Sequence, residues 1–138
     1  MKNVNKQNET RQTLQNMDSL QFGSEISEVQ EDLVKVNLKI RSLVESFSHV
    51  ESGDAMESLN CEIRGQFDLM RKGISSLRDL AKKQKNAQSV AMLKADADSH
   101  EDQMAGCQTA FKKANLLCIS RINAKGRDTL FSKKPGTP

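Results

Sequence analysis

With 138 residues and 15.4 kDa, the chain has room for one compact domain with loose ends, or for one helical hairpin, but not for two separate cores. Aromatics make up 4% of residues, Trp and Tyr are missing and Pro occurs twice, which all but excludes a sandwich or barrel and suits helices. The formal charge of +3, from 21 basic and 18 acidic residues, is mild and interleaved, so nucleic acid is not an expected partner.

The first stretch, residues 1–23, is rich in Asn, Gln, Lys, Thr and Ser with isolated Val4, Leu14 and Met17. Too little apolar surface is available there to offset the entropy of ordering, and a disordered arm is expected. A heptad-like rhythm then begins. Ile26, Val29, Leu33, Val36, Ile40, Leu43, Phe47 and Val50 alternate steps of three and four, placing them on one stripe of a first helix. Ser24 is the expected N-cap and Gly53 the expected stop.

Asp54 and Glu57 offer a capping-box-like start to a second helix, whose stripe is Met56, Leu59, Ile63, Phe67, Met70, Ile74, Leu77 and Ala81. Gly65 and Gly73 each weaken it by about 1 kcal/mol relative to Ala, so it needs tertiary support. A turn is expected over residues 84–88, a Lys- and Asn-rich cluster without Pro or Gly. The third stripe reads Val90, Leu93, Ala97, His100, Met104, Cys107, Phe111, Ala114 and Cys118, with Ile122 one position off register. Residues 124–138 combine Gly126, Lys133, Lys134, Pro135, Gly136 and Pro138 and are expected to be a disordered basic tail.

The predicted fold is therefore all-α: an antiparallel three-helix up-down-up bundle over residues 24–123 with disordered tails. A parallel coiled-coil dimer of one long hairpin is the competing architecture. The longest uncharged apolar run, residues 116–119, is far too short to span a bilayer, and residues 1–20 are too polar for a secretory signal, which predicts a soluble, untranslocated chain. Cys61, Cys107 and Cys118 form no CxxC and have no His at ligand spacing, so neither a disulfide framework nor a zinc site is indicated, and reduced cytosol is the natural compartment.

Catalytic chemistry is not indicated either. His49 sits near a helix end, and His100 lies on the third seam with Asp96 and Gln103 available for hydrogen bonds, both structural positions. Phosphate loops, HExxH, GxSxG and Cys-His nucleophile patterns are missing, so neither an enzyme nor a cofactor is expected. What remains is a second, weaker stripe on the third helix: Ala105, Thr109, Lys112, Leu116 and Ile119. It either widens the core or holds a partner helix; in the second case Thr109, Lys112, Asn115, Leu116 and Ile119 are the partner-binding residues, with Lys112 and Asn115 as the polar rim. Val34 and Leu38 make a smaller off-seam pair on the first helix.

Residues 61–122 carry a family resemblance. Phe67-Asp68-Leu69-Met70-Arg71, continuing through Ile74 and Leu77 to Leu80-Ala81-Lys82-Lys83-Gln84, then His100, Gln103-Met104 and Phe111-Lys112-Lys113-Ala114-Asn115-Leu116-Leu117-Cys118, is similar to the N-terminal region of the Sec-twenty family. Members are endoplasmic-reticulum Qb-SNAREs of Golgi-to-ER retrograde transport, described in animals as BCL-two-interacting. The resemblance implies a helical adaptor that docks on subunits of the ER tethering complex and takes part with other SNARE-cycle proteins. It also implies a SNARE helix and membrane anchor beyond Ile122, where this sequence instead runs to Lys133-Lys134-Pro135-Gly136-Thr137-Pro138, as in a truncated piece or a short variant. Expected localisation is cytoplasmic, on the cytosolic face of the ER through partners. Two alternatives stay open: a regulator binding BCL-two-type grooves, for which Gly126-Arg127-Asp128 with Leu130 is a loose match, and a helical scaffold without a dedicated partner.

Overall fold

The computed structural model describes the backbone of residues 2–133 and the side chains of residues 23–126. Three helices follow one another: α1 (Lys2–Ser46), α2 (Gly53–Lys82) and α3 (Ala87–Lys133), with a 3₁₀ turn over Phe47–His49 at the end of α1. No strand occurs among the described residues.

The heptad stripes meet in one core. Leu33, Ile40, Leu43 and Phe47 are buried from the first stripe, Leu59, Ile63, Phe67, Met70, Ile74, Leu77 and Ala81 from the second, and Leu93, Ala97, Cys107 and Cys118 from the third. Ile26, Val29, Val36, Val50, Met56, Met104, Phe111, Ala114 and Ile122 pack against them half-buried. Phe111 of α3 lies 5.9 Å from Phe47 and 5.9 Å from Phe67, ring centre to ring centre, so one aromatic cluster joins all three chain segments at the same level.

Polar contacts fix the directions of the helices. Gln30 Nε2 donates to Asp96 Oδ2 and Asn37 Nδ2 to Gln103 Oε1, both pairs 66 residues apart in sequence, and Cys107 Sγ donates to Asn37 Oδ1 across 70. A nearly constant separation means that α1 and α3 run parallel. Between α2 and α3 the separation instead shrinks from 55 for Asn60 and Asn115 to 20 for Arg78 and Asp98, as antiparallel neighbours require. The topology is up-down-up within one chain, with short connections over residues 47–52 and 83–86.

Helix boundaries differ from the expected ones at definable places. Gly23 and Ser24 lie inside α1, so Ser24 is not a cap; nothing packs within 4 Å of the Cβ position at Gly23, and a lone Gly weakens a helix without ending it. Gly53 begins α2 and does not end α1, and the cap of α2 is Ser52, whose Oγ accepts from Ala55 N at 3.1 Å, in place of the Asp54 and Glu57 box. The second turn occupies residues 83–86, and Asn86 Oδ1 accepts from Gln88 N at 2.8 Å to cap α3. Asn supplies here what Gly or Pro supplies elsewhere. Both outer helices pass the expected limits of residues 24–123: α3 continues through Ala124, Lys125 and Gly126. The side chains of residues 1–22 and 127–138, and with them most of the expected arm and tail, lie outside the described residues.

The end of α1 is held by α3. Arg121 donates to the main-chain oxygen of Phe47, which also accepts from Val50 N, and, at 2.7 Å, to that of Val50 beyond the helix end. Lys125 reaches Glu51 at 3.4 Å just beyond.

Candidate partner-binding face

The outer side of α3 follows from its inner one. With Cys107, Phe111, Ala114 and Cys118 turned to the core, residues roughly 110–170° from their mean direction on a 100° wheel are left outside. The off-seam stripe lies there. Ala105, Thr109 and Lys112 are exposed, Leu116 is 66% exposed and Ile119 39%. Thr109 Oγ1 donates to the carbonyl of Ala105 at 3.1 Å, so its hydroxyl is satisfied by its own helix.

Asn115 has a different place from the one expected of a rim residue. It is half-buried, and its Oδ1 accepts from Nδ2 of buried Asn60 at 3.4 Å, which ties it into the α2–α3 interface. Four of the five expected residues thus share an exposed face, and the fifth turns toward α2.

Leu117 is the residue that stripe reasoning missed. It is 58% exposed and lines a shallow groove of about 350 Å³ with Val44, Phe47, Ala114 and Arg121 between α1 and α3. Only its direct adjacency to Leu116 signals it in the sequence. Val34 and Leu38, the off-seam pair on α1, are 52% and 60% exposed. Leu69 on α2 and Met92 on α3 are also exposed; on α3, Leu116 and Ile119 lie about 60° apart on the wheel, with Leu117 about 100° to the other side of Leu116.

Asp96, Arg78 and Glu101 make structural contacts between helices. Asp96 accepts from Gln30 at 2.9 Å and faces His100 Nε2 at 3.6 Å, while Gln103, expected beside His100, is engaged by Asn37. His100 is buried on the seam, and its Nδ1 has no hydrogen-bond partner. Arg78 bridges Glu101 and Asp98; Glu101 first, and then Asp98, holds the guanidinium above its ordinary pKa by hydrogen bonding. Cys107 and Cys118 are buried and Cys61 is exposed, all as free thiols. Among the described residues no three His, Cys, Asp or Glu side chains gather at metal-binding distance. An exposed apolar cluster with a lysine beside it offers recognition by burial.

No protein-family model matches the chain, and no solved structure matches it. Over 94 residues it is 28% identical to the vesicle transport protein SEC20 of Homo sapiens, covering 67% of this chain and 41% of that protein. This likeness supports a relationship to the SEC20 family. The chain spans about two fifths of the length of human SEC20. No helix among the described residues is long and apolar enough to cross a membrane. Of the alternative motif Gly126-Arg127-Asp128 with Leu130, the side chains after Gly126 lie outside the described residues.

Proposed function

We propose that this chain is a non-enzymatic helical adaptor in Golgi-to-ER vesicle transport, docking on a subunit of the ER tethering complex through the outer side of α3. The likeness to SEC20 supports the transport setting, and the family resemblance of residues 61–122 supports the tether as partner. One observation carries the choice of face: Leu116 and Ile119 stay 66% and 39% exposed although the three seams have closed over Leu33, Ile63, Met70 and Cys118. Association with the cytosolic face of the ER then comes through that partner and through other SNARE-cycle proteins.

The test is a pull-down of purified tether subunits, with BCL-two-type proteins offered in parallel. Leu116→Asp together with Ile119→Asp is expected to weaken tether capture at least about tenfold, since apolar anchors at the centre of an interface carry most of its energy. Circular dichroism and melting temperature are expected to stay close to the parent's. Unfolding of the double variant would make the stripe part of the core. Unchanged capture by a folded variant would move the docking site elsewhere, with Val34 and Leu38 the next face, and preferential capture of BCL-two-type proteins would replace the tether as partner.

A further inference from the structure

Charge along α3 is strongly uneven. Asp96, Asp98, Glu101 and Asp102 crowd its first half, whereas residues 103–126 contain no Asp or Glu but carry Lys112, Lys113, Arg121 and Lys125. Two of these cations are engaged within the molecule: Arg121 on the carbonyls of Phe47 and Val50, and Lys125 on Glu51. Lys112 and Lys113 are exposed and make no ion pair among the described residues.

Helix geometry puts these two lysines on opposite sides of the same apolar anchor. Taking Leu116 as the centre of the outer face, Lys112 falls about 40° to one side and Lys113 about 60° to the other, each roughly a turn away. Ile119 lies about 60° from the centre on the Lys112 side. The rest of the face is small or polar: Ala105, Thr109, Ser120 and Asn123. Across the edge, on α2, Arg64 is a third exposed cation that makes no ion pair among the described residues, while Asp68 is taken by Arg71 at 2.7 Å and Glu62 by Lys39 at 3.8 Å. Glu57 is the acidic side chain of α2 that the Asn60 to Asn115 register brings level with Ile119.

We propose that the occupant of this face is an acidic amphipathic helix of the partner protein. Its apolar seam covers Leu116 and Ile119, and its carboxylates on either flank meet Lys112, Lys113 and Arg64. The arrangement is that of a coiled-coil seam, in which flanking charges choose the partner. A narrow seam bordered by Ala105, Thr109 and Ser120 admits a second helix at close range, whereas insertion into lipid needs a broad apolar face. This inference rests on the docking reading above.

Two synthetic helical peptides with the same Leu seam, one flanked by Glu and the other by Lys, test it alongside phosphatidylcholine vesicles with and without phosphatidylserine. The full chain is expected to bind the Glu-flanked peptide at least about tenfold more tightly than its Lys twin at ~0.1 M salt, with the preference shrinking at ~0.5 M. Lys112→Glu with Lys113→Glu is expected to abolish or reverse that preference while the melting temperature holds. Equal binding of the two peptides, binding of neither, a preference that survives charge reversal, or binding of phosphatidylserine vesicles in place of the Glu-flanked peptide would each overturn the proposal. The tether pull-down separates the two levels. Capture that survives the charge reversal but fails with Leu116→Asp and Ile119→Asp leaves the docking reading standing and removes the acidic partner; capture that survives both removes the docking reading itself.

Discussion

Met70→Asp is expected to unfold the bundle at neutral pH. Met70 is fully buried on α2, the helix that packs against both others. Losing the long side chain costs about 2–5 kcal/mol by itself. The new carboxyl adds a second cost, because it is either ionised without a partner in an apolar interior or kept neutral by a large pKa shift, at about 1.4 kcal/mol for each unit. Together these approach the whole stability of a domain this size, about 5–15 kcal/mol. Met70→Leu keeps the volume and polarity and is expected to cost less than about 1.5 kcal/mol. Thermal and urea melts followed by circular dichroism decide it; a cooperative melt for Met70→Asp close to the parent's would contradict the core described above. Met104, on the α3 seam, is only half-buried, so the same change there has solvent to turn to and is the milder one.

Phe67→Ala is expected to destabilise by about 3–5 kcal/mol without abolishing the fold. Phe67 is 3% exposed and its ring meets Phe111, which in turn meets Phe47, so its removal leaves a void where all three chain segments converge. Phe111 is half-buried, and Phe111→Ala is expected to cost less. Because the two rings touch, the double variant should fall short of the sum by about 0.5–1.5 kcal/mol. Additive costs in urea denaturation would show that the rings act separately.

The heptads account for how much of this fold was legible in the sequence. A three- and four-residue rhythm is a property of one helix at a time, so Leu33, Ile63 or Cys118 declares its inward face without knowledge of its neighbours. What the rhythm does not carry is contact between helices. Asn37 with Gln103 and Cys107, Asn60 with Asn115, and Arg121 on the carbonyls of Phe47 and Val50 join residues 55 to 74 positions apart, and no local pattern marks them. Gly73 shows the same limit. Read along the chain it weakens α2; in the bundle a Cβ there would stand 2.7 Å from Leu33 Cδ2 and 3.0 Å from its Cγ, so the absence of a side chain is what lets Leu33 sit against α2. Gly65, eight residues earlier in the same helix, has nothing within 4 Å and no such role.

The candidate face was legible for the same reason the core was, and incomplete for the reason the contacts were. Leu116 and Ile119 follow from a stripe offset from the seam. Asn115 shares their stretch of helix, yet buried Asn60 on another helix draws it inward. Leu117 belongs to no stripe, and the groove it lines is formed with residues at the end of α1, which no pattern within α3 records.

Amide hydrogen exchange of the full chain, with and without a purified tether subunit, tests the docking face most directly. Added protection confined to α3 around residues 105–123, with the core of α1 and α2 unchanged, is the expected result. Protection centred on Val34 and Leu38 of α1, or no change anywhere in the chain at saturating subunit, would contradict it.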